Sequence, residues 1–357
     1  MIDSDRLLFL EDLLSTPSPT GYETAGQQIW LKELRKYSDR QETDLYGSAA
    51  AFIDVDPDAI TVMLEAHCDE IGMVVQHVDS SGFVYINRLG GSDPAISRAK
   101  KVSIHTAKGV VRGLIGNTAI HLQERGKDRK SPAWEDLFVD IGAESREEAL
   151  EMLQIGDPIT YSEDVEFFSD DLIVARALDN RIGGYIIAEA MRQLYAMKDE
   201  LKVNVVAVNA VQEEIGGFGA RMMSYRLHPD AALVTDVTHA TDSPGINQKM
   251  HGKVELAKGA VITHGTANQR RLVEKLVAVA EAKEIPLQHE ASGTRTGTDT
   301  DSVFHSKTGI PSALISTPLR YMHSPTEMAS LSDVDAVARL MKESVAGFDA
   351  KEDFRLM

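Results

Sequence analysis

Apolar spacing along this chain changes character twice. At the start, M-I-D-S-D-R-L-L-F-L-E-D-L-L is interrupted by acids at amphipathic spacing, which predicts a surface helix at about 3 to 15. A turn at Ser18-Pro19-Thr20-Gly21 follows, then a second helix near 22 to 37 carrying Ile29, Leu31 and Leu34. The run T-V-M-L-E-A predicts a strand at about 60 to 66 that delivers His67 at its end. From about 73 to 168 the pattern becomes short β-rich pieces, M-V-V-Q-H-V, G-F-V-Y-I, K-V-S-I-H-T and G-V-V-R-G-L-I-G, punctuated by Gly, Asp and Ser. Only E-S-R-E-E-A-L-E-M-L, near 144 to 153, reads as helix within that stretch.

The earlier character then returns. A helix at about 181 to 196 places Ile182, Ile186, Ala190 and Leu194 on one stripe, and V-N-V-V-A-V-N-A-V (203 to 211) has the β-branched density of a strand buried on both faces. Strands at 231 to 236, 259 to 264 and 311 to 316 surround a helix near 268 to 283. This alternation predicts an α/β fold, a mixed open sheet with helices on both faces, formed by residues 1–72 and 169–357. Residues 73–168 are expected to form a small β-barrel inserted into it.

The chain's 357 residues, 43% of them apolar, can bury a sizeable core. No apolar stretch reaches spanning length, so a membrane is not expected as a partner. A formal charge of -18 argues against nucleic acid, whose backbone is met by clustered Lys and Arg. The single cysteine, Cys68, rules out an intrachain disulfide and points to the cytoplasm; alternation turns it away from its neighbours, as a buried small side chain.

In open α/β sheets, ligands gather beyond the carboxyl ends of strands. His67, Glu213, Glu214 and Asp236 all fall at such predicted ends, in A-H-C-D-E-I-G, Q-E-E-I-G and V-T-D-V. Asp179 in A-L-D-N-R and His323 in R-Y-M-H-S-P-T-E complete the set. Imidazole and carboxylate suit zinc and its neighbours, and five ligands exceed what one catalytic ion needs, so two divalent ions sharing a carboxylate are expected. Asp179 would bridge, with His67 and Asp236 completing one site and Glu214 and His323 helping to hold the other ion, a pairing that the sequence suggests without fixing. Asp69, two residues after His67 on an extended backbone, would accept the other imidazole N–H. Glu213 and Glu214 are adjacent and diverge, so Glu214 is assigned to metal and Glu213 to proton transfer.

His105, His121, His264 and His289 lack convincing acidic partners and read as core or surface side chains. The segment S-G-T-R-T-G-T-D-T-D-S (292 to 302) lacks the Gly-Lys-Ser/Thr ending of a phosphate loop, so it reads as a substrate-lining loop with Asp299 and Asp301 in reserve for the metal shell. Neither G-x-S-x-G nor a cysteine nucleophile setting is present.

Through A-H-C-D-E-I-G, A-L-D-N-R-I-G-G, Q-E-E-I-G-G-F-G-A, the Asp236 strand, G-T-D-T-D and R-Y-M-H-S-P-T-E, in that order, the chain resembles the tetrahedral, TET-type aminopeptidases over nearly its whole length. That family includes glutamyl aminopeptidases and relatives once labelled endoglucanases. The resemblance implies metal ligation by His67, Asp179, Glu214, Asp236 and His323, with Asp179 bridging and Glu213 as general base. It implies zinc or cobalt, with manganese as a third option, and a cis bond after Asp179. It also implies dimerisation through the inserted domain and assembly of dimers into a hollow dodecamer. Substrates would be short peptides with a free N-terminus. The chain departs from the family at Gly217-Phe218-Gly219, where Arg-Gly is frequent, and at Thr300, where Ala is common after the Asp. The rival readings are a dinuclear deacylase of N-acyl amino acids and a scaffold whose metals only stiffen it.

Overall fold

A computed structural model describes residues 4–122 and 131–357; Asp3, the first position of the expected N-terminal helix, lies outside them. Among the described residues an eleven-stranded mixed sheet and a closed six-stranded barrel account for the β structure.

The centre of the large sheet is parallel. Asn204–Ala210, Thr61–His67, Ala231–His239 and Ser312–Arg320 lie side by side in that order. All four are buried almost throughout, which is why they read as continuous apolar runs and not as alternating ones. Antiparallel strands extend both flanks: Arg40–Thr43 and Ala49–Ile53 on one side, Glu327–Ser330, Leu172–Ala175 and Glu166–Phe167 on the other. The hairpin at 40–53 was not anticipated, because A-A-A-F-I has neither alternation nor β-branched density.

Helices cover both faces. Leu178–Tyr195 and Leu331–Ala346 pack with Leu64, Ala66, Leu233 and Ile315 on one side. Phe218–Leu227 covers Met63, Val206, Ala232 and Val234 on the other through Ala220 and Met223. Trp30, fully buried, donates its indole N–H to the Gly184 carbonyl (2.9 Å) and so ties the second helix to the 178–195 helix.

The barrel contains Gly72–Val78, Val84–Leu89, Lys101–Thr106, Gly109–Ile115, Phe138–Asp140 and Pro158–Tyr161. Its core is separate, built from Met73, Val75, Ile86, Ile104, Val139 and Ile159. Phe138–Asp140 and Pro158–Tyr161 escaped the sequence reading because each is too short to display a period. Glu166–Phe167, inside the stretch expected to be barrel, pairs instead with Leu172–Ala175 in the large sheet.

Candidate metal centre

Parallel register places the first two groups. Glu65 stands opposite Val234, so Asp236, two residues further along, comes level with His67, on the same face by period-two alternation. His67 Nε2 lies 3.6 Å from Asp236 Oδ1, 3.3 Å from Asp179 Oδ1 and 3.9 Å from Glu213 Oε2. Its Nδ1 faces Asp69, 3.2 Å from the backbone carbonyl and 3.4 Å from Oδ1. An Nδ1–H therefore has acceptors at Asp69, which leaves Nε2 facing the carboxylate cluster. Asp236 is not at a strand end: its strand runs on to His239.

Asp179 enters from the opening of the Leu178–Tyr195 helix. Ala177 is left-handed (φ 59°), Asp179 and Asn180 are non-helical, and the bond between them is cis. One Asp179 oxygen faces each imidazole: Oδ1 toward His67, and Oδ2 toward His323 Nε2 at 3.2 Å. His323 Nε2 is also 3.3 Å from Glu214 Oε2. The loop that carries His323 doubles back through positive φ at Tyr321 and at His323 itself. Glu327 pins both ligand-bearing segments, because its carboxylate accepts the backbone N–H of Asp179 (3.0 Å) and of His323 (2.8 Å).

Glu213 and Glu214 lie in a turn beyond Ala210, not on the strand end expected for them. Left-handed Gln212 starts the turn, and Asp69 holds it, its carboxylate accepting from the N–H groups of Glu213 (2.9 Å) and Glu214 (3.2 Å) and from the Thr20 hydroxyl (2.9 Å). The side chains diverge as anticipated, Glu213 toward His67 and Glu214 toward His323. Gly219 lets the following helix close on the turn; a Cβ there would stand 2.3 Å from the Val211 carbonyl oxygen. Gly91, beyond the barrel strand Val84–Leu89, lies against the His323 ring: a Cβ would meet Nδ1 at 2.5 Å.

Two triads result, His67–Asp179–Asp236 and Asp179–Glu214–His323, each with ligand atoms within 4.8 Å of one another. Negative charge is in excess. Burial drives Glu213 well above the usual carboxylate range, with the charges of Asp299 and Asp236 adding to it. Glu214 is pushed to about 7 by burial, and Asp236 is raised by burial too. Burial alone would lower both imidazoles, but Asp179 and Asp236 hold His67 well above its ordinary value, and Asp179 and Glu214 hold His323 at about 11. Asp179 is lowered despite burial, by His323 and His67. Glu214 Oε1 is buried without a hydrogen-bond partner. Surplus carboxylates around shared oxygens, with one orphaned, fit a pair of divalent cations, which would supply the missing positive charge.

Three buried acids were not picked out as site residues. Glu65 is fully buried and raised to about 8 by burial; Asp299, kept in reserve from the sequence, faces it and is raised well above its usual value for the same reason. Glu65 was visible as an acid within an apolar strand, two residues before His67 and so on its face. Glu327 was legible only as the end of the His323 motif. Asp301 leaves the centre, folding back onto the N–H groups of Thr296 and Gly297. His105 bonds Thr160 in the barrel, His264 and His289 pair with each other at 2.9 Å, and His121 is exposed. Cys68 is buried, its thiol pushed up by burial.

Comparison with known proteins gives the chain its family. A family model described as M42 glutamyl aminopeptidase matches residues 47–340. The chain is 35% identical over 338 residues to a lysyl aminopeptidase of Pyrococcus furiosus, covering 93% of this chain and 94% of that one. Among solved structures, the TET aminopeptidase of a marine sediment thaumarchaeon superposes with a TM-score of 0.92 at 29% identity, over 97% of both chains. The Pyrococcus horikoshii TET1 peptidase, described as assembling into a tetrahedron or a large octahedral shell, superposes with a TM-score of 0.85 at 28% identity, over 96% of this chain and all of that one.

Proposed function

From the premise that this chain belongs to the M42 glutamyl aminopeptidase family and is an aminopeptidase, we propose that it removes N-terminal residues from short peptides at a dinuclear metal centre. The observation that carries this reading is Asp179 offering one oxygen to each imidazole, with Glu213 and Glu214 splayed to either side.

His67 and Asp236 would hold one cation, Glu214 and His323 the other, and Asp179 both. Such a pair polarises a scissile carbonyl and activates water at neutral pH; zinc or cobalt suits the donor set, with manganese as a third option. Glu213, beside the His67 half and outside both triads, is the proton carrier: it takes a proton from the attacking water and returns it to the leaving amine. Asp69 orients His67 and anchors the Glu213–Glu214 turn. Buried negative charge at the rim also suits a protonated α-amino group. The family description and the Pyrococcus relative name different side chains, glutamyl and lysyl, so the preferred residue is a separate question from the reaction.

The barrel serves dimerisation in this reading, with dimers building a dodecamer, supported by the tetrahedral assembly of the horikoshii relative. No helix among the described residues is long and apolar enough to cross a membrane; placement in the cytoplasm rests on the lone buried Cys68.

The test is hydrolysis of a panel of aminoacyl p-nitroanilides by protein stripped with a chelator and then reloaded with each metal. Activity on free amino ends that vanishes on stripping, with the fold retained, is the expected result. Cleavage of N-acylated substrates alone would replace this reading with a deacylase. No hydrolysis at any metal loading would leave a scaffold.

A further inference from the structure

Ser18-Pro19-Thr20-Gly21 reads in the sequence as a plain turn between two helices. In the fold it lies against the segment that follows His67, with Pro19 bridged to Glu70. Backbone contacts already secure it there. The Thr20 N–H donates to the Glu70 carbonyl (3.1 Å), the Glu70 N–H to the Ser18 carbonyl (3.1 Å), and the Ser18 N–H to the Glu70 carboxylate (2.8 Å). The turn therefore does not depend on the Thr20 hydroxyl for its shape. Thr20 is 2% exposed, and its Oγ1 lies 2.9 Å from Asp69 Oδ2, closer than to the Glu70 carbonyl at 3.3 Å. A carboxylate only accepts, so the hydroxyl is the donor.

Asp69 is the hub that this donor reaches. Its Oδ1 takes the N–H of Glu213 (2.9 Å) and faces His67 Nδ1 (3.4 Å), while Oδ2 takes the N–H of Glu214 at a longer 3.2 Å. The Thr20 hydroxyl is the shorter of the two contacts on Oδ2, so it fixes the rotation of the carboxylate. Rotation matters because the turn held by Asp69 runs against ordinary backbone preference: Gln212 is left-handed at φ 60°, and Gly216 and Gly217 also have positive φ. Glu23 adds to the need for a donor. It is buried, accepts the Gly21 N–H (2.7 Å) and faces the Gln212 N–H; burial, then the charge of Asp69, pushes its pKa up to about 7. Two buried carboxyl groups that sense each other's charge repel, and a hydroxyl donor on Asp69 offsets that.

On the reading of Glu213 as proton carrier, we propose that Thr20 is a positioning residue for proton transfer: its hydroxyl locks the Asp69 carboxylate, which sets where Glu213 stands beside His67. Thr20 touches neither metal ligand nor substrate. It acts only through Asp69, so its loss is felt as a misplaced carrier and not as a missing one.

Thr20→Val removes the hydroxyl at nearly constant shape, and Thr20→Ser keeps it. Both are assayed at saturating metal on the best-cleaved aminoacyl p-nitroanilide, with circular dichroism as the check on fold. In Thr20→Val, kcat should fall about 10- to 100-fold, the usual cost of losing a group that orients site residues, while KM stays within about threefold of wild type. Thr20→Ser should bring kcat back to within about threefold. A merely structural hydroxyl would lower the unfolding midpoint and leave kcat where it was. Wild-type kcat in folded Thr20→Val, a loss carried by KM or by metal affinity alone, or a Thr20→Ser as slow as Thr20→Val overturns the proposal. Glu213→Gln, assayed alongside, separates the two ideas. If it turns over normally, Glu213 is not the carrier and the role of Thr20 falls with it; if it collapses while Thr20→Val matches wild type, the role of Thr20 alone is wrong. If Thr20→Val does not fold, Thr20→Ala decides by the same criteria.

Discussion

Glu327 is the most economical place to ask whether the centre is held from behind. Its two oxygens accept the backbone N–H groups of Asp179 and His323 at 3.0 and 2.8 Å, and it lies within the buried interior at 1% exposure. Burial, then the charge of Asp179, pushes its pKa well above the usual carboxylate range; yet both oxygens act as acceptors, the geometry of the ionised form that a nearby cation pair would restore. In Glu327→Gln one oxygen survives and the new amide N–H₂ faces a backbone donor, so one of the two contacts is lost. A hydrogen bond to a charged group contributes about 1.5–3 kcal/mol. Expressed wholly in metal affinity, that is roughly 10- to 150-fold, overlapping the 10- to 100-fold typical of residues that orient metal ligands. Competition against a chromophoric chelator measures it directly, with circular dichroism as the check on fold. Metal affinity within about threefold of wild type, in a folded variant, would show that the ligands hold their places without Glu327 and would refute the reasoning.

Glu213→Gln should retain both metals and lose about 10²- to 10⁴-fold in kcat, the usual contribution of a proton carrier; a folded, metal-replete variant with near-normal turnover removes Glu213 from that role. Trp30→Phe should cost about 1–2 kcal/mol in denaturant unfolding, since it deletes the bond to the Gly184 carbonyl and leaves that acceptor buried; an unchanged midpoint would mean the helices do not rely on it. Asp242 is held below the ordinary aspartate range, chiefly by its paired contacts with Arg320 at 2.7 and 2.8 Å, helped by the Leu256 N–H. A lowered carboxyl pKa stabilises above the unfolded-state value and loses that stabilisation as pH falls through the folded value. Asp242→Asn should therefore be less stable than wild type by about 1 kcal/mol at neutral pH, discounted for partial exposure, with the gap closing in acid below the ordinary aspartate range; a gap that is constant with pH points to packing instead. Gly91→Ala should displace His323, whose Nδ1 a Cβ would approach to 2.5 Å; metal content in the Glu214 half should drop while the His67 half stays loaded, and full occupancy of both would show that the loop simply moves.

The sequence by itself determined the parts whose signal is local. The runs at about 60–66, 203–211 and 231–236 mark strands, because hydrophobicity and β-branching act over a few residues. His67, Asp179, Glu213, Glu214, Asp236 and His323 stood out because charged or imidazole groups beside such runs are costly unless partnered, and their motifs were intact in order. Tertiary structure alone decided how those motifs meet. Strand register brings Asp236 level with His67, a left-handed Gln212 splays the two glutamates, and the loop reversal at Tyr321 and His323 turns the second imidazole onto Asp179. It also decided the supporting shell: Glu65 lies far along the chain from Asp299 and Glu327, and the Glu327 carboxylate in a sequence does not disclose that its oxygens will face the backbone amides of Asp179 and His323. Local chemistry is written in the chain residue by residue; convergence depends on long-range register and loop closure, which no short window of sequence contains.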